Sequence, residues 1–239
     1  QRNGTADRKL ANRTRRIIGD FAFSVGPPMV SENLARIRRR LGDRRVTILG
    51  VTKKQDPATV QAAIDAGLQD LGNNYAQEGE ALRAQITGCQ WHFIGHIQSR
   101  KVKYLVHYDW VHSLDRIEIV ADLHTRLEAV GRTINGLIEV NLGDERSKSG
   151  IAPEAVDDFA RAMAAFPRVR CRGIMVLPPP LQPVENRRPF FARARAMVQA
   201  HNAVGWDTLS MGTSEDFEIA ADEGATIVRL GTVLFGARA

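Results

Sequence analysis

Cysteine is nearly absent: Cys89 and Cys171 are the only two, with no C-x-x-C pair or Cys/His cluster around either. That excludes a disulfide framework and any thiolate metal site of familiar spacing, and it suits a reducing cytosol, where the chain is expected to reside. Aromatics make up only 6% of the sequence, too few to suggest a base-stacking surface. No apolar run approaches the roughly 18 residues that a bilayer span requires, so no membrane segment is expected. The stretch from Ile17 to Val25 behind Arg15-Arg16 is broken by Gly19 and Asp20, which makes a poor signal-peptide core. No G-x-G-x-x-G follows the first strand candidate, so an open nucleotide-binding sheet lacks its fingerprint.

Positive charge is plentiful but uneven. The formal net charge is +6, yet residues 1–45 hold twelve basic and four acidic side chains, while the remainder holds 21 basic and 23 acidic. The excess belongs to a tail and a first helix rather than to the body, which argues against a basic nucleic-acid-binding protein. Residues 1–27 are expected to be a flexible basic extension closed by Pro27-Pro28, and residues 28–239 one folded domain. No surface pattern demands a partner subunit, so the expected state is a monomer.

From Met29 to Leu41 the apolar residues Val30, Leu34, Ile37 and Leu41 recur at three and four, predicting an amphipathic helix studded with arginine. Short branched runs then alternate with helical patterns. Strands are predicted at Val46 to Thr52, Asp70 to Asn73, Trp91 to Gly95, Trp110 to Ser113, Ile134 to Asn141, Cys171 to Leu177, Thr208 to Met211 and Thr226 to Leu230. Helices are predicted near 58–66, 75–86, 99–107, 115–130, 153–165, 189–203 and 214–223. Eight strands alternating with seven helices in this length favour an α/β fold closed into a single (β/α)8 TIM barrel with an extra N-terminal helix.

In such a barrel the C-terminal strand ends share one mouth. Those ends are rich in polar side chains here: Thr52-Lys53-Lys54, Asn73-Asn74-Tyr75, His96 and Gln98, His112-Ser113, then Asn141 with Ser147-Lys148-Ser149-Gly150. Leu209 to Asp216 and Val228 to Thr232 follow the seventh and eighth strands, where barrels commonly hold phosphate. Ser214 reads both as a helix N-cap and as an anion donor, and Gly231 permits close approach of the backbone. Glu215 and Asp216 would repel a phosphate and are expected to point outward. Arg229 is as well suited to an acidic partner as to a ligand. An amine withdrawn from water in an enclosed mouth can attack a carbonyl, and an aldehyde combined with a phosphate describes pyridoxal phosphate. His92, His96 and His112 have strand spacing and are expected to have no carboxylate or thiolate nearby, so they read as core or hydrogen-bonding histidines rather than metal ligands.

Val51-Thr52-Lys53, Ile64-Asp65-Ala66-Gly67, Leu71 to Glu78 and Trp91 to Gln98 closely resemble the pyridoxal phosphate homeostasis protein family. Ser147 to Gly150, Arg172 to Met175, Leu209 to Asp216 and Val228 to Arg238 match it in order and spacing, so the resemblance covers about residues 29–239. It implies a barrel like the N-terminal domain of alanine racemases, with pyridoxal 5′-phosphate held by Lys53 as a reversible Schiff base. By the same match Asn74 lies beside the cofactor, Arg229 faces the pyridine nitrogen, and Ser214, Gly231 and Thr232 hold the phosphate. Met211 belongs to the same cofactor-binding set, and Lys148 lines the mouth where cofactor is exchanged. The sequence departs from the family at Asn73, usually Glu, and at Thr213, Gln55-Asp56 and Arg100.

An arginine opposite the ring nitrogen disfavours ring protonation and so weakens the cofactor as an electron sink. The expected role is therefore a non-catalytic carrier that stores the cofactor or hands it to apo-enzymes. The alternative, a pyridoxal phosphate-dependent amino-acid racemase, needs a second base that such enzymes take from another domain. The sequence as given runs about seven residues past Thr232, and no such domain is expected to follow.

Overall fold

The computed structural model describes residues 27–143 and 149–236. The amphipathic pattern at the start forms helix α1, Pro27–Leu41. Eight strands follow: β1 Thr47–Val51, β2 Asp70–Asn73, β3 Gln90–Phe93, β4 Trp110–Leu114, β5 Ile134–Val140, β6 Val169–Val176, β7 Thr208–Ser210 and β8 Ile227–Leu230. They pair in parallel in sequence order, and β8 pairs with β1, so the sheet is a closed barrel. The connecting helices are α2 Pro57–Asp65, α3 Ala76–Arg83, a 3₁₀ helix Ser99–His107, α4 Ile117–Ala129, α5 Val156–Met163, α6 Arg188–Ala200 and α7 Phe217–Asp222. A short α8, Thr232–Phe235, follows β8. The expected fold is thus the observed one. The expected extension, residues 1–27, lies outside the described residues except for Pro27, which opens α1.

Most elements differ from the expected bounds by one to three residues, and two of the differences bear on the site. The seventh barrel helix begins at Phe217 rather than at 214, because Thr213 to Asp216 form a turn in which the Asp216 carboxylate accepts from the Thr213 amide at 2.6 Å and from its hydroxyl at 3.0 Å. Strand β3 ends at Phe93 rather than at Gly95. Beyond it Gly95 lies so close to the next loop that an added Cβ would stand 2.0 Å from the Asn74 carbonyl oxygen.

Helix α1 is not a loose appendage. Val30, Leu34, Ile37 and Leu41 are buried in the main apolar cluster, as their spacing requires. Two of its arginines and one just beyond it are engaged with the barrel: Arg40 pairs with Glu218 and, past the helix end, Arg44 with Asp222, each at 2.5 Å, and Arg38 donates to the Gly67 carbonyl at 2.7 Å. Buried Asn33 donates to the Leu234 carbonyl at 3.0 Å, tying α1 to the final helix. Removing that amide strands a buried acceptor, which costs the acceptor's desolvation as well as the bond. Asn33→Ala is expected to lower unfolding free energy by about 1–3 kcal/mol, seen as a lower urea midpoint at unchanged slope.

Candidate functional site

The register of the barrel decides which side chains enter its interior. Leu49 of β1 is level with Asp70 of β2 on one side and Arg229 of β8 on the other. Side chains of one strand alternate across the sheet, so the β8 parity that buries Arg229 inside also turns Ile227 and Gly231 the same way. Arg229 is 6% exposed and donates to the Ser210 carbonyl and hydroxyl, both at 2.8 Å, and to the Val176 carbonyl at 2.9 Å. Among the described residues it pairs with no carboxylate within ion-pairing distance, so of the two expected roles, an acidic partner or a ligand, the first is not the one observed. Burial pushes the guanidinium down to about 10, with Asp216 and Glu139 opposing, so it remains cationic at neutral pH.

Lys53 follows β1 by two residues and is half-buried. Its Nζ stands 5.1 Å from the centroid of the Tyr75 ring, which lies at the end of the β2 loop and is itself exposed. Lys54, the next residue, has a positive φ of 60° and its amide donates to the Glu78 carboxylate at 2.5 Å, so the backbone turns sharply away from the mouth after Lys53. Just before the lysine, Thr52 is fully buried and its hydroxyl donates to the Gly72 carbonyl at 3.2 Å. Asn73 donates to that hydroxyl at 2.6 Å and accepts from Tyr108 at 3.3 Å. Asn73 stands where a glutamate is usual in the family it resembles. Here a neutral amide with both a donor and an acceptor serves a buried position between two hydroxyls, and braces the β1 end that carries Lys53.

Asn74 follows β2 at the same end of the barrel, and its Oδ1 is buried without a hydrogen-bonding partner among the described residues. An orphaned buried acceptor costs stability, so it marks a place where a donor from outside the protein would be welcome. Across the mouth the loops after β7 and β8 are joined, since the Ser214 hydroxyl accepts from the Val233 amide at 3.3 Å. Ser214 is therefore not the helix N-cap it was expected to be; Asp216 holds that position. Gly231 lies next to Ser214's partner strand end, and an added Cβ there would meet only the Val51 Cβ, at 3.8 Å, so the mouth is open at this point. Thr232 is exposed at the rim, while Met211 is fully buried in the apolar cluster. Lys148 and Ser147 lie outside the described residues; next to them, Ser149 sits 3.0 Å from the ring of His96.

The expectation that both Glu215 and Asp216 point outward holds for only one. Glu215 is largely exposed, but Asp216 is 2% exposed and bonds Arg187 at 2.7 Å beneath the loop. Its charge is thereby compensated away from the rim. The histidines also need a correction. His92 does have a carboxylate neighbour, Asp70, at 3.0 Å, because β2 and β3 lie side by side although the two residues are 22 apart in sequence. His92 in turn lies 2.9 Å from His112, whose other ring nitrogen is 3.0 Å from the Ser210 hydroxyl. Burial, then His92 and Arg229, hold His112 well below the usual histidine range, so it is neutral. Among the described residues no three His, Cys, Asp or Glu side chains converge as a metal-binding group.

One group went unnoticed in the sequence. Burial and the nearby Asp115 push the Glu139 carboxyl up to about 7, against the pull of Arg229. A lone acid in the largely apolar run Ile134 to Val140, whose one other polar side chain is Asn135, was the available signal. The folded chain holds this proton more tightly than the unfolded chain, whose carboxyl titrates near 4.5, so folding loses stability as pH rises between those values. Glu139→Gln is expected to leave stability unchanged near about pH 4 and to raise it by roughly 2 kcal/mol near about pH 8, measured by urea unfolding of the cofactor-free chain.

Comparison with known proteins gives one consistent result. Residues 28–239 match the family described as alanine racemase, N-terminal domain. The pyridoxal phosphate homeostasis protein of Pseudomonas aeruginosa is 40% identical over 221 residues, covering 87% of this chain and 96% of that protein. The protein of the same name from Escherichia coli strain K12 is 39% identical over 228 residues, covering 87% of this chain and 97% of its own length. A solved structure of PipY from Synechococcus elongatus, with PLP bound, superposes with a TM-score of 0.79 at 30% identity, covering 87% of this chain and all of that one, 100%.

Proposed function

The chain belongs to the pyridoxal phosphate homeostasis protein family, and from that premise we propose that it binds pyridoxal 5′-phosphate in the barrel mouth and serves as a reversible carrier of it. The observation that carries this reading is a juxtaposition at one end of the barrel. A half-buried lysine, an acceptor without a partner among the described residues and a buried arginine whose described hydrogen bonds go to neutral oxygens stand at strand ends of the same barrel end, beside two joined loops.

Each group fits one part of the ligand. Lys53 would hold the ligand through its amine, which can react reversibly with an aldehyde. Arg229 presents N–H donors to the ring nitrogen. Asn74 stands beside the ring with its orphaned oxygen free to accept from the ligand, and Ser214, Gly231 and Thr232 receive the phosphate. Lys148, outside the described residues, is assigned to cofactor exchange, and Met211 to packing beneath the site.

When bound, the cofactor supplies an imine whose ring can withdraw electrons. A cation that only donates at the ring nitrogen keeps that nitrogen unprotonated and makes the withdrawal weak. Binding without efficient carbanion chemistry suits storage and transfer, with apo-enzymes as the recipients, rather than racemisation. The arginines in and just after α1 lend little support to a nucleic-acid role, since Arg38, Arg40 and Arg44 are committed to the barrel.

Borohydride reduction in the presence of pyridoxal phosphate is expected to fix the label on the peptide containing Lys53; a label on Lys54 or Lys148 contradicts the assignment. Lys53→Ala is expected to abolish the reducible adduct yet retain weaker binding, which inorganic phosphate competes away. Sustained racemisation of alanine by the pure protein would overturn the carrier reading.

A further inference from the structure

Five polar side chains from five different strands form one continuous line through the barrel. Asp70 on β2 bonds His92 on β3 at 3.0 Å, His92 bonds His112 on β4 at 2.9 Å, and His112 bonds Ser210 on β7 at 3.0 Å, crossing the lumen. Ser210 accepts from Arg229 on β8 at 2.8 Å. His92, His112 and Ser210 are each at most 1% exposed, whereas the Asp70 side chain is 18% exposed and lines an open pocket of about 310 Å³ beside α1. The line thus runs from solvent at the foot of β2 to the mouth, with a carboxylate at one end and a guanidinium at the other.

The direction of every bond follows from what the two ends can do. A guanidinium has no acceptor, so Arg229 must donate to Ser210. The Ser210 hydroxyl hydrogen then goes to His112 Nδ1, which must be bare. A neutral imidazole bare at Nδ1 carries its hydrogen on Nε2, and that hydrogen goes to His92 Nδ1. His92 in turn carries its hydrogen on Nε2 and gives it to the ionised Asp70 carboxylate, which can only accept. All four links are satisfied with both rings neutral. The reverse polarity needs an imidazolium at His92 or a protonated Asp70, and it aims two donors at the Ser210 oxygen while leaving its hydroxyl hydrogen without a described acceptor. Trp110 stacks on the His92 ring, with planes 2° apart and centroids at 5.7 Å, and so holds the ring where both of its nitrogens meet their partners.

We propose that Asp70, His92, His112 and Ser210 are the positioning residues of Arg229: a one-way hydrogen-bond relay, anchored on the Asp70 carboxylate, that holds the guanidinium aimed at the ring nitrogen. This rests on the reading above in one respect, that Arg229 is the group facing the ring. Asp216 and Glu139 already act on Arg229 from a distance; the relay adds the Asp70 charge through polarised links, instead of a direct ion pair that would turn the guanidinium away from the mouth. It also explains why a serine and two histidines occupy a barrel interior that apolar side chains would otherwise fill.

Two measurements test it. In the cofactor-free full chain at neutral pH, 15N NMR of the histidine rings is expected to show His92 and His112 both neutral with the hydrogen on Nε2. A hydrogen on Nδ1 of His112, or a cation at either ring, overturns the relay whatever the protein binds. The second compares pyridoxal phosphate with its 1-deaza analogue, in which a C–H replaces the ring nitrogen. Asp70→Ala is expected to weaken pyridoxal phosphate roughly tenfold while leaving the analogue unchanged, and Asp70→Glu to restore the difference. Equal weakening of both ligands, or of neither, contradicts a role exerted through Arg229. Absence of pyridoxal phosphate binding by the unmodified chain would instead refute the carrier function, and the ring tautomers would still decide the relay.

Discussion

A positive charge withdrawn almost wholly from water is the constraint around which this barrel is arranged. Arg229 points into the interior because β8 alternates, and once there it cannot be left unsatisfied. Its donors reach the Val176 carbonyl at the end of β6 and both oxygens of Ser210 at the end of β7. Three adjacent strand ends are thereby fixed relative to one another at the side of the mouth that carries the phosphate-type loops. The opposite side is organised separately. There Asn73, Thr52 and Tyr108 brace the β1 and β2 ends, and Lys53 and Asn74 emerge from them.

This division suits the binding role proposed above. The arginine donates to neutral oxygens, whereas the lysine is half-buried with an aromatic face near its amine and, among the described residues, no carboxylate within ion-pairing distance. Rigid recognition on one side and an accessible amine on the other favour capture and release of the same ligand. Glu139, the one acid of the mouth held near neutrality, lies close enough to Arg229 and Asp115 to feel both charges. It gives the site an internal proton that the sequence alone did not advertise.

The fold was legible because its signals are local. The period of Val30, Leu34, Ile37 and Leu41, the eight branched runs and the seven intervening helical patterns each depend on residues within a few positions, and each survived in the structure with shifts at the ends. The phosphate-type loops and Lys53 were legible for a second reason, namely that barrel strand ends converge by topology, so position along a strand predicts position in space. What the sequence hid depends on strand pairing across long separations. Asp70 and His92 are 22 residues apart, His112 and Ser210 are 98 apart, and neither pair leaves a mark in local spacing. Asp216 was misplaced for a similar reason, since its compensation by Arg187 comes from a segment 29 residues earlier. Ser214 was misread as a cap because the turn at Thr213 to Asp216 belongs to the acid that follows it.

The account stands or falls on the state of the ligand's ring nitrogen beside Arg229. Loading the chain with pyridoxal phosphate labelled with 15N in the ring and recording its NMR spectrum at neutral pH reads that state directly. An unprotonated pyridine nitrogen, whose resonance shifts when Arg229 is replaced by glutamine, is the predicted result. A pyridinium resonance that ignores the replacement would show that the buried arginine does not face the ring.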